Sequence, residues 1–148
     1  MIEMNETVRD FLLEAIPARS TALTLNMKQQ DLHGRLDKIE AQRNFRHFMS
    51  RLNQKTYGNA FRRYGKRLQV LPVLERSRDS RLHYHAFLED PYDNISRLRA
   101  VVWDAWSKTR WGYGQFDLQP VYSDGWLDYI MKSGRLDAID VENTYTVR

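Results

Sequence analysis

Between Leu68 and Leu88 two apolar, alternating runs flank six consecutive polar residues, Arg76 to Arg81. A stretch of this form predicts an antiparallel hairpin with strands at Leu68 to Glu75 and Leu82 to Leu88. The period of two puts His83 and His85 on one face of the second strand. If Glu75 pairs with His83, the register brings its carboxylate to the same face. Two nitrogen ligands and one oxygen would then converge on a divalent ion and leave positions open for substrate. A His-x-His pair in a strand is by itself ordinarily two surface histidines. The acid at hairpin distance is what makes a candidate metal site of it. Pro72 lacks an amide donor, so its strand belongs at a sheet edge or carries a bulge.

The remaining segments build a frame around that hairpin. A short helix is expected over Glu6 to Ala15, stopped before Pro17. Thr21 to Met27 alternates cleanly and reads as the first strand. Asp31 to Gly34 reads as a loop. A long helix from about Leu36 to Gln54 would bury Leu36, Ile39, Phe45, Phe48, Met49 and Leu52, turning Arg43, Arg46 and Arg51 outward. Tyr57 to Gly65 reads as a basic loop. After Asp90-Pro91, Asp93 or Asn94 can cap a helix from Ile95 to Trp106 that buries Ile95, Leu98, Val102 and Trp106. Gly112-Tyr113-Gly114 reads as a turn before a fourth strand, Gln115 to Val121. Ser123 or Asp124 would cap a last helix over Gly125 to Ser133, and the tail from Arg135 shows little pattern. The order β-α-β-β-α-β gives an α+β, split β-α-β (ferredoxin- or RRM-like) antiparallel sheet, with both long helices on one face and the other face open. His33 and His47 read as surface residues.

With 148 residues and no cysteine, one domain over 1–148 is expected, and disulfides and thiolate metal sites are excluded. No apolar run approaches 18 residues and no signal peptide is evident, so a cytoplasmic, non-membrane protein is expected. The net charge is only +4, but Arg43 to Arg67 holds eight Lys/Arg residues and no acid. Among them Arg43, Arg46, Arg62, Arg63, Lys66 and Arg67 are the candidate polyanion contacts. Interleaved with Phe45, Phe48, Tyr57, Phe61 and Tyr64, they suit a polyanion whose bases can stack. A solvated helix face is the plainer reading of the same block.

On the last helix Trp126, Leu127, Ile130 and Met131 form the apolar stripe. Tyr129 and Lys132 lie off it as i, i+3 neighbours, where the lysine can steady an anion. Together these features resemble the HUH endonuclease superfamily, specifically rolling-circle replication initiators with one catalytic tyrosine. Thr21 to Met27 stands where the family's first strand motif lies. Glu75 with His83-Tyr84-His85 matches the metal motif, and Tyr129-Ile130-Met131-Lys132 matches Tyr-x-x-Lys. Tyr84 is larger than the aliphatic residue often found between the two histidines.

The resemblance implies metal-dependent nicking and rejoining of single-stranded DNA. Glu75, His83 and His85 would hold Mg²⁺ or Mn²⁺. Tyr129 would attack the scissile phosphate to give a 5′-phosphotyrosine link, assisted by Lys132. Single-stranded origin-like or hairpin DNA is the implied partner, with host replication proteins or a helicase beside it, in a bacterial, plasmid, phage or mobile-element setting. Two alternatives stay open: a single-tyrosine HUH transposase, and a non-catalytic module that binds single-stranded nucleic acid.

Overall fold

Alternation from Leu23 to Met27 organises the sheet: Leu23, Leu25 and Met27 are buried on one face, while Thr24 and Asn26 point to the other. The structure, a computed structural model, describes residues 6–17, 19–121 and 138–147. In chain order it contains α1 (Glu6–Ala15), β1 (Ser20–Met27), a miniature hairpin of β2 (Gln30–Asp31) and β3 (Gly34–Arg35), and α2 (Lys38–Tyr57). These are followed by α3 (Asn59–Tyr64), β4 (Val70–Arg76), β5 (Leu82–Glu89), α4 (Ile95–Ser107), β6 (Gly112–Pro120) and a 3-10 turn at Val141–Asn143. The sheet order is β4-β5-β1-β6, with every neighbouring pair antiparallel. β5 inserts between β1 and β4, which α2 connects, and β1 inserts between β5 and β6, which α4 connects. This is the α+β, ferredoxin-like split β-α-β fold.

Both long helices pack on one face. Phe45, Phe48 and Leu52 of α2 and Leu98, Val102 and Trp106 of α4 are buried with Leu23, Leu25, Tyr84 and Leu118 of the sheet. Asp37 caps α2 by accepting the Glu40 amide at 2.8 Å, which satisfies one of the donors a helix start leaves open. Asn44, buried on α2, ties in the α4–β6 connection: it donates to Thr109 Oγ1 and accepts the Trp111 amide. Asn53 accepts the Leu68 amide at 2.8 Å and so fixes the entry to β4.

Several expectations need correction. Ile39 is 61% exposed; six residues before Phe45, it is turned roughly 120° from it on the helix. The supposed basic loop contains α3, because Gly58 and Gly65, both at positive φ, cap its two ends. Asp31 to Gly34 is the turn of the β2–β3 hairpin rather than a plain loop. Gly112 to Gly114 is already strand, and a Cβ at Gly112 would overlap the Trp106 carbonyl where β6 leaves α4.

The face away from the long helices is only partly open. Leu71, Val73 and Phe87 form a second cluster there with Leu13, Ile16, Val121, Ala138 and Ile139. Residues 138–147 also run along the outer edge of β4. Val70 bridges Tyr145, Val73 bridges Ile139, and the Asp140 amide donates to the Pro72 carbonyl. The edge strand that carries Pro72 is thereby shielded at several of its free backbone groups.

Candidate metal centre and adjoining cavity

The β4–β5 register places Glu75 opposite His83 and Val73 opposite His85. Glu75, His83 and His85 therefore share the face that the long helices leave free. Glu75 Oε2 lies 3.6 Å from His83 Nε2 and 3.7 Å from His85 Nε2. The two imidazoles stand edge to face with centroids 4.8 Å apart. One ligand atom from each residue falls within 4.8 Å of the others. All three side chains are half-buried, so they are held by the sheet yet can be reached. Two imidazole nitrogens and one carboxylate oxygen, converging from rigid strands, fit a divalent cation and leave coordination positions over.

The sheet also orients the ligands. Thr24 on β1 pairs with His85, and its Oγ1 lies 3.1 Å from His85 Nδ1. That contact leaves Nε2 turned toward Glu75. Tyr84 points the opposite way, into the helix side. Its ring packs 4.4 Å from Phe45, centroid to centroid, and its hydroxyl donates to Asp140 Oδ2 at 2.7 Å. Burial first, then the Asp140 carboxylate, holds the phenol well above the ordinary tyrosine range. A large residue between the histidines is accommodated because this acid, delivered by the C-terminal segment, awaits its hydroxyl.

A cavity of about 480 Å³ opens beside the histidines, lined among others by Thr24, Asn26, Arg81, His83, His85 and Tyr113. Arg81 brings a guanidinium into this rim, where one of its Nη atoms donates to the Met27 carbonyl at 3.4 Å. Among the described residues, no acidic side chain lines the cavity. Its polar, cationic wall next to a Glu/His/His cluster suits an anionic substrate such as a phosphodiester. Sequence reasoning passes over Thr24, Asn26 and Arg81. The period of β1 puts the first two on its polar face without tying that face to the histidines, whereas Arg81 reads only as hairpin loop.

The other expected site residues are placed elsewhere. Arg43 and Arg46 project from α2, on the helix side of the sheet, and pair with Glu40 and Glu142 respectively. Arg62 and Arg63 end α3, and Lys66 and Arg67 follow it. None of these six lines the cavity. Tyr129, Lys132 and the helix expected over Gly125 to Ser133 lie outside the described residues.

No helix among the described residues is long and apolar enough to cross a membrane. No curated protein and no solved structure matches the chain significantly. Residues 20–134, however, match a family described as replication-associated protein ORF2. That span takes in β1, the Glu75/His83/His85 hairpin and all of β6, so the segment that matches is the one that builds the cluster. The chain belongs to this family of replication-associated proteins.

Proposed function

We propose that this replication-associated protein nicks and rejoins single-stranded DNA through a covalent tyrosine intermediate at the start of rolling-circle replication. The observation that carries this reading is the convergence of Glu75, His83 and His85 beside a cavity with a cationic wall. Those three residues hold the cation, Mg²⁺ or Mn²⁺, which when bound supplies Lewis-acid polarisation of a phosphoryl oxygen. Arg81 sits where it can donate hydrogen bonds to a non-bridging phosphate oxygen. Tyr129 is the nucleophile. Its hydroxyl loses a proton to solvent, its oxygen bonds to phosphorus, and the bond from phosphorus to the 3′-oxygen breaks. The 3′-oxygen takes up a proton as it leaves, so one ester replaces another and rejoining stays possible. A tyrosine of ordinary pKa, about 10, needs a cation close by to attack as phenolate, and Lys132 provides one. The described residues flanking this segment, Val121 and Ala138, both pack against the cluster of Leu71, Val73 and Phe87 on the histidine face.

The test is incubation with a pool of single-stranded oligonucleotides and Mn²⁺, followed by denaturing electrophoresis and peptide mapping. A denaturation-resistant adduct on Tyr129 is expected, lost in Tyr129→Phe, while DNA binding persists. His83→Ala and His85→Ala should abolish the adduct, and Glu75→Ala should weaken ion affinity. An adduct mapped to Tyr113, which lines the cavity, would reassign the nucleophile. Absence of any adduct under these conditions would leave a binding module instead.

A further inference from the structure

Several cations on the helix side of this fold are paired with acids: Arg43 with Glu40, Arg46 with Glu142, and Lys55 and Lys108 with Asp104. The rim from the end of α3 to the start of β4 differs. Among the described residues none of Arg62, Arg63, Lys66 and Arg67 is ion-paired, and all four are exposed. Two of them rest on aromatic faces instead, Lys66 over Tyr57 at 4.9 Å and Arg67 over Tyr145 at 4.2 Å. These contacts fix the position of the side chains without neutralising them. In their midst Tyr64 is 82% exposed. Gly65, at φ 70°, ends α3 in the left-handed conformation, and along the chain Arg62 and Arg63 precede Tyr64 while Lys66 and Arg67 follow it.

We propose that this rim is a second, metal-independent contact for single-stranded DNA, in which Tyr64 stacks on an unpaired base and the four cations follow the phosphates. A duplex keeps its base faces stacked inside and offers an exposed ring nothing to lie on, which is why a single strand is the partner. The rim is remote from the cluster. β4 begins at Val70 and Glu75 lies five residues along it, roughly 17 Å at ~3.3 Å per residue. One strand can thus be gripped here while another part of it occupies the cavity. The proposal rests on the reading that this protein handles single-stranded DNA, and it names where the uncut portion is held.

Binding is best measured by fluorescence anisotropy with a labelled deoxythymidine strand of about 12 nucleotides, within the usual site sizes for single-strand binders. Chelator and the His83→Ala background remove any contribution from cleavage. Tyr64→Ala should weaken binding roughly tenfold, within the range of a base–aromatic stack, and Tyr64→Phe should restore it. Neutralising Arg62 and Arg63 with glutamine should lower the slope of log affinity against log salt by about 0.7 per lost contact. All three positions are exposed, so thermal unfolding should not move. Wild-type affinity in Tyr64→Ala, an unchanged slope in the arginine variant, or a duplex bound as tightly as the strand would each overturn the proposal. If the rim variants change nothing while the wild type still forms its Mn²⁺-dependent adduct, the rim alone is sunk. Normal rim effects with no adduct from the wild type would uphold the rim and sink the proposed chemistry.

Discussion

Thr24 determines how His85 can be used. A histidine that ligates through Nε2 keeps its proton on Nδ1, and something must receive that proton. Thr24 Oγ1, at 3.1 Å, is placed to accept it while Nε2 faces Glu75. Thr24→Val keeps the branched shape that suits a strand and deletes only the hydroxyl. Loss of such an orienting partner typically costs ~10- to 100-fold in metal affinity. Calorimetric titration with Mn²⁺ should show a loss of about tenfold, the low end of that range, in Thr24→Val and near-wild-type affinity in Thr24→Ser. Equal affinities in all three proteins would mean that the sheet alone orients His85. Glu75, His83 and His85 were legible in the sequence because hairpin register is arithmetic on position numbers. Thr24 stands in the same kind of alternation, but no register links β1 to β5 until the fold is known.

Among elements, α2 and α4 are joined across their exposed sides by Asp104, which lies 2.7 Å from Lys55 Nζ and 2.8 Å from Lys108 Nζ. Hydrogen bonds from Lys108 and then Lys55 hold its carboxyl at about 2, below the ordinary 3.8. Because the folded-state value is depressed, the contribution to stability is complete above pH 3.8 and is lost as pH falls toward 2. In Asp104→Asn the unfolding midpoint should therefore depend less steeply on pH in that window than in the wild type, with only a small drop at neutral pH. Matching acid limbs, followed by tryptophan fluorescence, would show that the bridge does not form in solution. The long helices and four main strands were readable because each sustains its period over at least seven residues. α3 and the β2–β3 hairpin have too few residues to show a period. The segment 138–147 has none, since it is held by bridges to β4 and by the Asp140–Tyr84 bond.

At the scale of the molecule, charge and chemistry are divided between surfaces in a way no linear reading could give. The basic block is continuous in sequence, yet α2 carries its first part on the helix side while the cluster faces the other way. Among the described cations of the hairpin and the basic block, Arg81 is the one that reaches the cavity. The cluster also joins two strands, so a bound ion should act on the whole fold. The unfolded chain does not hold Glu75 beside two imidazoles, so binding is confined to the native state and stabilises it by mass action. At a free Mn²⁺ concentration about 100 times its dissociation constant the gain is about 2.7 kcal/mol. For a chain of this length that corresponds to a rise in Tm of roughly 8 °C. Differential scanning fluorimetry should show this rise in the wild type. Tyr129→Phe should show it too, since it keeps all three ligands. His83→Ala should lose most of it, because one nitrogen donor is gone while the sheet remains. A Tm that stays level in the wild type across that titration, or that rises equally in His83→Ala, would remove Glu75, His83 and His85 from the role of metal ligands.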